Sequence, residues 1–184
     1  MPALHPALPA ALALALLAGC PKPAAPPQTT PPARAAPAGG FSPSFTLGGA
    51  VERPAAFTLD KLKGYPATTL PVTYTTARGE EQATFTGVPL WLLVNEAGVI
   101  SRPGHKNDLI GKYLVATASD GYVAVIALGE ILPDYQNQPI MVAYARDGAP
   151  LDRDGMARLV VPGDKAGGRH VRNLTHVEIL DASP

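Results

Sequence analysis

The residues best suited to chemistry stand near the end of the chain, between Arg158 and Leu180. Gly163, Gly167 and Gly168 relieve the backbone of Cβ sterics. Lys165, Arg169 and Arg172 place three cations around those glycines. Exposed main-chain N–H groups and guanidinium forks suit an anion, above all a phosphate or pyrophosphate. The candidate ligand-binding residues are therefore Lys165, Gly167, Gly168, Arg169 and Arg172. The same residues also suit a solvated basic turn between two core strands, and the sequence leaves both readings open.

Other titratable residues give weaker signals. His105 sits in a polar stretch and reads as a surface residue. His170 lies inside the basic loop, where it suits either a hydrogen bond to phosphate or packing as a semi-aromatic side chain. His176, between Leu174 and Val177, reads as a strand histidine with its hydrogen bonds satisfied. Three histidines far apart in sequence make no metal site without geometry. Asp152, Asp154 and Asp164 read as turn carboxylates, because a calcium loop needs a denser set of oxygens. Glu80 and Glu81 read as a solvated turn. Tyr113, Tyr122, Tyr135 and Tyr144 read as strand or edge aromatics. No Walker loop, Cys-x-x-Cys pair, Gly-x-Ser-x-Gly elbow or internal repeat is present. No residue is assigned a catalytic or metal-ligating role.

The elements that must hold the loop follow from patterning. Leu159–Val161 forms one apolar run; Val171, Leu174, Val177, Ile179 and Leu180 form a second, so the loop is expected to join two buried strands. Upstream, Ser44–Val51 reads as a strand interrupted by glycines. Thr58–Gly64 reads as a short helix, capped by Thr58 and stopped by Gly64. Thr68–Thr76 and Ala83–Gly87 pair across a turn at Arg78–Glu81. Pro89 is expected to open a helix with an apolar stripe of Leu90, Leu93, Val94 and Ala97, closed by Gly98. Ser101–Gly111 reads as the longest loop. Tyr113–Ala118 and Tyr122–Leu128 form a hairpin through Ser119-Asp-Gly121. Leu128–Leu132 is a short helix, Ile140–Ala145 a strand and Arg146–Gly148 a tight turn. Strands dominate and several connections are hairpins, so the expected class is α+β with a mixed sheet.

The 184 residues carry 15 Lys plus Arg against 15 Asp plus Glu. That balance gives no basic excess of the kind nucleic acid requires. One cysteine excludes an intramolecular disulfide and a cysteine-based metal cluster. The apolar run Ala7–Ala18 is shorter than the ~20 residues a membrane span needs. It ends Leu17-Ala-Gly-Cys20, which resembles a bacterial lipoprotein signal with Cys20 as the acylated residue. No Lys or Arg precedes Lys22, so the usual charged start of such a leader is missing. Pro21 follows the cysteine where an aspartate would mark retention. The resemblance therefore implies a periplasm-facing envelope lipoprotein, in the outer membrane rather than the inner. Residues 21–40 are Pro/Ala-rich and suit an extended stalk of at most ~60 Å. The expected organisation is leader 1–20, linker 21–40 and one domain over 41–184.

Five segments in order carry a family resemblance. They are Phe57-Thr-Leu-Asp-Lys-Leu62, Ala83-Thr-Phe-Thr-Gly-Val-Pro-Leu-Trp-Leu-Leu93, Ala118-Ser-Asp-Gly-Tyr122, Asp147-Gly-Ala-Pro-Leu151 and Arg158-Leu-Val-Val-Pro-Gly-Asp-Lys165. Together they resemble the oxidoreductase molybdopterin-binding domain of the sulfite oxidase family, over roughly residues 45–180. The resemblance implies that family's mixed α/β fold and molybdopterin as a cofactor. It also implies contacts from Gly167, Arg169 and Arg172 to the pterin and its phosphate. One departure bears on the metal. Catalytic members hold molybdenum through a cysteine thiolate, and the corresponding stretch Val72–Gly79 has none. The Asn-x-Arg that follows that cysteine is also absent. A threonine hydroxyl stays protonated and is a poor ligand for such a metal. The leader has no arginine, whereas proteins exporting a loaded molybdenum cofactor use a twin-arginine signal. The expectation is a domain binding an anionic, pterin- or phosphate-like ligand, or a redox partner protein, without a working molybdenum centre. The alternatives are a molybdopterin-dependent oxidoreductase acting on a small oxo-compound and a structural envelope lipoprotein.

Overall fold

A computed structural model describes residue 1 and residues 39–182. The chain divides into two units, Met1–Arg34 and Ala35–Pro184, and the fold described below is that of the second. The expectations for the leader, for Cys20 and for the linker as far as residue 38 lie outside the described residues.

Strands β1 (Ser44–Gly49) and β2 (Ala55–Thr58) lead into helix α1 (Leu59–Lys63). The Thr58 hydroxyl accepts a hydrogen bond from the Lys61 amide at 3.4 Å, the expected cap. Gly64 ends the helix with φ −74°, so it stops the helix without a left-handed turn. Strands β3 (Thr68–Thr76) and β4 (Gly79–Pro89) form a long hairpin. Helix α2 (Leu90–Ala97) buries the expected stripe of Leu90, Leu93, Val94 and Ala97. Pro89 is not its first residue: it remains in the strand, opposite Met141, and stands at the helix N-cap. After a 3₁₀ turn at Asp108–Gly111 come β5 (Lys112–Ala118), β6 (Val123–Ala127) and helix α3 (Leu128–Ile131). Strands β7 (Met141–Arg146), β8 (Ala149–Pro150), β9 (Arg158–Val160) and β10 (Leu174–Asp181) complete the order, with further 3₁₀ turns at Asp152–Asp154 and Gly167–Arg169.

The strands form two five-stranded sheets rather than one. The first runs β2-β1-β10-β5-β6 and is mixed, because β1 and β10 are parallel. The second runs β3-β4-β7-β8, with β9 also paired to β7, and is antiparallel. The two runs that flank the glycine-rich loop therefore belong to different sheets. Val171 is not part of β10; it touches β9 through a single bridge to Leu159. Residues 55–58 form a strand that the sequence reading left unassigned.

The larger core gathers Phe45, Leu62, Leu93, Leu114, Ile126 and Ile179 of the first sheet and the helices with Val88, Val142 and Leu159 of the second sheet. A smaller one gathers Val72, Tyr74, Phe85, Met141 and Val160 on the second sheet. At the far end of β5, buried Lys112 pairs with Asp108 at 3.1 Å and Asp181 at 2.6 Å. The main-chain and side-chain donors of Arg102 hold the Asp108 carboxyl well below the usual carboxylate range. Among the described residues, no helix is long and apolar enough to cross a membrane.

Candidate functional site

The end of β3 and the glycine-rich loop are bound directly to each other. The Thr75 amide donates to the Lys165 carbonyl at 2.8 Å, and Thr75 forms a parallel bridge with Ala166. Gly167 then passes the ring of Tyr74 so closely that a Cβ there would stand 2.7 Å from Tyr74 Cδ2. Only glycine allows that approach without movement of a ring that is itself buried. Gly168 meets the opposite condition: nothing lies within 4 Å of where its Cβ would stand.

A cavity of about 470 Å³ opens between Tyr74–Ala77 and the loop, with Gly167, Gly168, His170, Arg172 and Arg158 in its wall. A second, of about 270 Å³, shares Gly167, His170 and Arg172 and reaches Asp120 and Tyr122. The stretch that the resemblance aligns with the metal-binding loop thus faces the basic loop across one space.

Arg158 opens β9 and is only 1% exposed. Its guanidinium donates to Asp154 at 2.8 Å, to the Tyr74 hydroxyl at 3.3 Å and to His170 Nδ1 at 3.3 Å. Its face lies 5.1 Å from the centre of the Phe85 ring. The buried Nε finds no hydrogen-bond partner among the described residues. An arginine only donates, so His170 Nδ1 must accept, and Nε2–H must donate to the Val161 carbonyl at 3.2 Å. That fixes one neutral tautomer. Burial, then the Arg158 charge, pushes the His170 imidazole down to about 4. His170 also packs 4.5 Å from the Tyr74 ring, so it takes the semi-aromatic role while lining both cavities. The Tyr74 hydroxyl passes the chain on to Glu81 at 3.1 Å, and Glu81 pairs with Arg146 at 3.4 Å.

The predicted site residues separate into two groups. Gly167, Gly168 and Arg172 line the cavity. Arg172 is solvent-accessible, its side chain 55% exposed, and its Nε lies 3.5 Å from Asp154. Arg169 and Lys165 are not among the lining residues. The Arg169 fork is held by Asp164 at 2.7 and 2.8 Å and by Glu130 at 2.8 and 3.0 Å. Lys165 is exposed and contributes its carbonyl to the loop anchor. His105 is exposed, and His176 Nδ1 lies 3.0 Å from Thr175 Oγ1. Sequence reasoning missed Arg158 and Tyr74. The signal for Arg158 was a charge opening the apolar run Leu159–Val161, a place where an unpaired cation does not belong.

At the cavity the two cations Arg158 and Arg172 share one carboxylate, Asp154, while His170 is neutral. The first cavity therefore has two cations against one carboxylate, while the second also reaches Asp120. A strand-rich α+β domain with a glycine- and arginine-lined cavity at the meeting of two sheets is the class this geometry defines. The model of the oxidoreductase molybdopterin binding domain matches residues 41–184, and the chain belongs to that family. Among solved structures it is similar to the sulfane dehydrogenase SoxCD from Paracoccus pantotrophus. Identity is 27% and the TM-score 0.62, over 75% of this chain and 38% of that one. The chain thus spans well under half of the SoxCD chain it matches. No curated protein matches. The fold is that of the sulfite-oxidase-type molybdopterin domain.

Proposed function

We propose that the domain binds the anionic, phosphate-bearing part of a pterin-type ligand, or a small anion of that kind, without a working molybdenum centre. The observation that carries this reading is the cavity between Tyr74–Ala77 and the loop. It offers the exposed Arg172 fork, the buried Arg158 and the open main chain at Gly168. Its size falls within the range of ordinary small-molecule sites. The organic part of a molybdopterin suits these donors. The metal does not: Tyr74–Ala77 offers hydroxyls and main-chain atoms but no thiolate, and Thr76 Oγ1 already donates toward Glu81 and the Gly79 carbonyl.

Residues 1–40 support a second element of the proposal. The Leu17-Ala-Gly-Cys20 box and the proline-rich stretch after it fit a lipid-anchored domain on a stalk, facing the periplasm from the outer membrane. Under this reading, a redox partner protein could be carried to the same face. Family membership and the likeness to a sulfane dehydrogenase favour a second function, oxidoreductase activity on a small oxo-compound.

One experiment separates the two. The full chain, purified from its own host, is assayed for molybdenum and for oxidised-pterin fluorescence. The proposal expects molybdenum far below one atom per chain; stoichiometric molybdenum overturns it in favour of the enzyme. Binding of inorganic pyrophosphate tests the cradle. Arg172→Ala is expected to weaken it by about tenfold or more, since a charged hydrogen bond contributes ~1.5–3 kcal/mol. Unchanged affinity removes Arg172 from the site.

A further inference from the structure

The loop that forms the cradle is tied down from both sides, and the ties on one side involve residues outside the cavity's charged set. Towards the second sheet, the Lys165 carbonyl accepts from the Thr75 amide. Towards the first sheet, the Tyr122 hydroxyl donates to the Gly168 carbonyl. One residue on, the Arg169 guanidinium divides its fork between Asp164, five residues back in the loop, and Glu130 on α3. Glu130 is itself fixed, because its Oε1 also accepts from the Ala127 amide at 3.0 Å. Asp164 and Glu130 hold the Arg169 charge in place and raise its affinity for its proton. Only about a third of the Arg169 side chain is exposed.

We infer that Glu130 and Tyr122 are positioning residues for the anion cradle, and that Arg169 serves as a clamp between loop and α3 rather than as a ligand for the anion. This rests on the cradle reading given above. A glycine-rich segment left untethered would lose main-chain entropy on binding, at every residue that must be ordered. Prior fixation by a two-carboxylate clamp removes that cost from the binding step. An arginine suits the task because its planar fork meets two carboxylates at once, which a lysine ammonium does at the expense of geometry.

Glu130→Gln decides between the two roles of Arg169, because they predict opposite signs. If Arg169 is an anion ligand, loss of a competing carboxylate frees its guanidinium, and inorganic pyrophosphate binds more tightly. If Arg169 is a clamp, the loop loosens and affinity falls, by about three- to tenfold. Tighter or unchanged binding by the Glu130→Gln full chain overturns the inference. Tyr122→Phe, which deletes one hydroxyl, is expected to shift affinity in the same direction by a smaller factor; no loss there removes Tyr122 from the set. Hydrogen exchange supplies a reading that does not require any ligand. Main-chain amides of residues 167–171 should exchange about tenfold faster in Glu130→Gln than in the parent, with β5 amides unchanged. Equal exchange at 167–171 overturns the clamp even if pyrophosphate binds. Faster exchange together with no pyrophosphate binding by the parent chain leaves the clamp standing and removes the cradle reading instead.

Discussion

His170 is the residue whose chemistry and burial disagree most. It is only 6% exposed, sits beside the buried Arg158 cation and titrates at about 4 instead of its ordinary value of 6.5. A folded-state value below the unfolded one means that the unfolded chain takes up the proton first. The stabilisation is therefore complete above pH ~6.5 and is lost progressively as pH falls to about 4. The whole shift corresponds to ~3 kcal/mol, of which ~2 kcal/mol falls between pH 7 and pH 4.5. Urea unfolding at pH 7 and at pH 4.5 should show it. The His170→Gln chain lacks this titration, so it should lose ~2 kcal/mol less than the parent over that interval. Parallel losses in the two chains would mean that His170 is not held neutral. Gly167 carries a steric constraint of a different kind. A methyl group there meets the Tyr74 ring at 2.7 Å, so Gly167→Ala is expected to destabilise by ~1–3 kcal/mol and to weaken pyrophosphate binding together with it. A gain in stability on that substitution would show that the ring has room to move.

At the scale of elements, local signals were legible and long-range ones were not. The Asp147-Gly148 turn could be read because two left-handed residues in a row, here at φ 53° and 79°, need such side chains. The Thr58 cap and the α2 stripe were legible for the same reason: each is decided within one or two turns of chain. The division into two sheets was not, since β1 and β10 are joined by pairs such as Leu47 with Val177. Nor were the partners of Arg158 and Arg169, because Tyr74 lies 84 residues from the first and Glu130 lies 39 from the second. The sequence showed three cations near three glycines; it could not show which of them already had a carboxylate. Gly87 is another position decided by strand contact. It sits at the shift of register between β4 and β7, where a Cβ would stand 2.3 Å from the Val142 carbonyl oxygen and 2.4 Å from Ala143 Cα. Both neighbours are main chain inside a sheet and cannot rotate away. Gly87→Ala should therefore fall at the upper end of the ~1–3 kcal/mol expected for overpacking. A urea midpoint within 0.5 kcal/mol of the parent (about the scatter of neutral surface substitutions) would show that β4 slides to accommodate the methyl group.

For the domain as a whole, the site lies where the two sheets meet, and this has a thermodynamic consequence. Tyr74 and Arg158 belong to the antiparallel sheet, whereas Arg172 stands two residues before β10 of the mixed sheet and Tyr122 immediately precedes β6. A ligand held as proposed would touch elements of both, so it would bind only when the two are assembled. Binding should then stabilise the domain against global unfolding, not one loop against local opening. With free pyrophosphate at 100 times its dissociation constant the gain is ~2.7 kcal/mol. For a domain of this size that corresponds to a rise of roughly 6–15 °C in melting temperature. Arg172→Ala, binding tenfold more weakly, should show about half the gain at the same pyrophosphate concentration. The comparison needs only two melting curves per chain, with and without pyrophosphate, at one ionic strength. A parent chain whose melting point does not respond, while direct titration shows binding, would mean that the anion binds the unfolded chain as well as the folded one, so that no assembled cradle is needed. The seam would then be a packing boundary and Arg158 a buried structural cation, held by Asp154, Tyr74 and His170 without reference to any ligand.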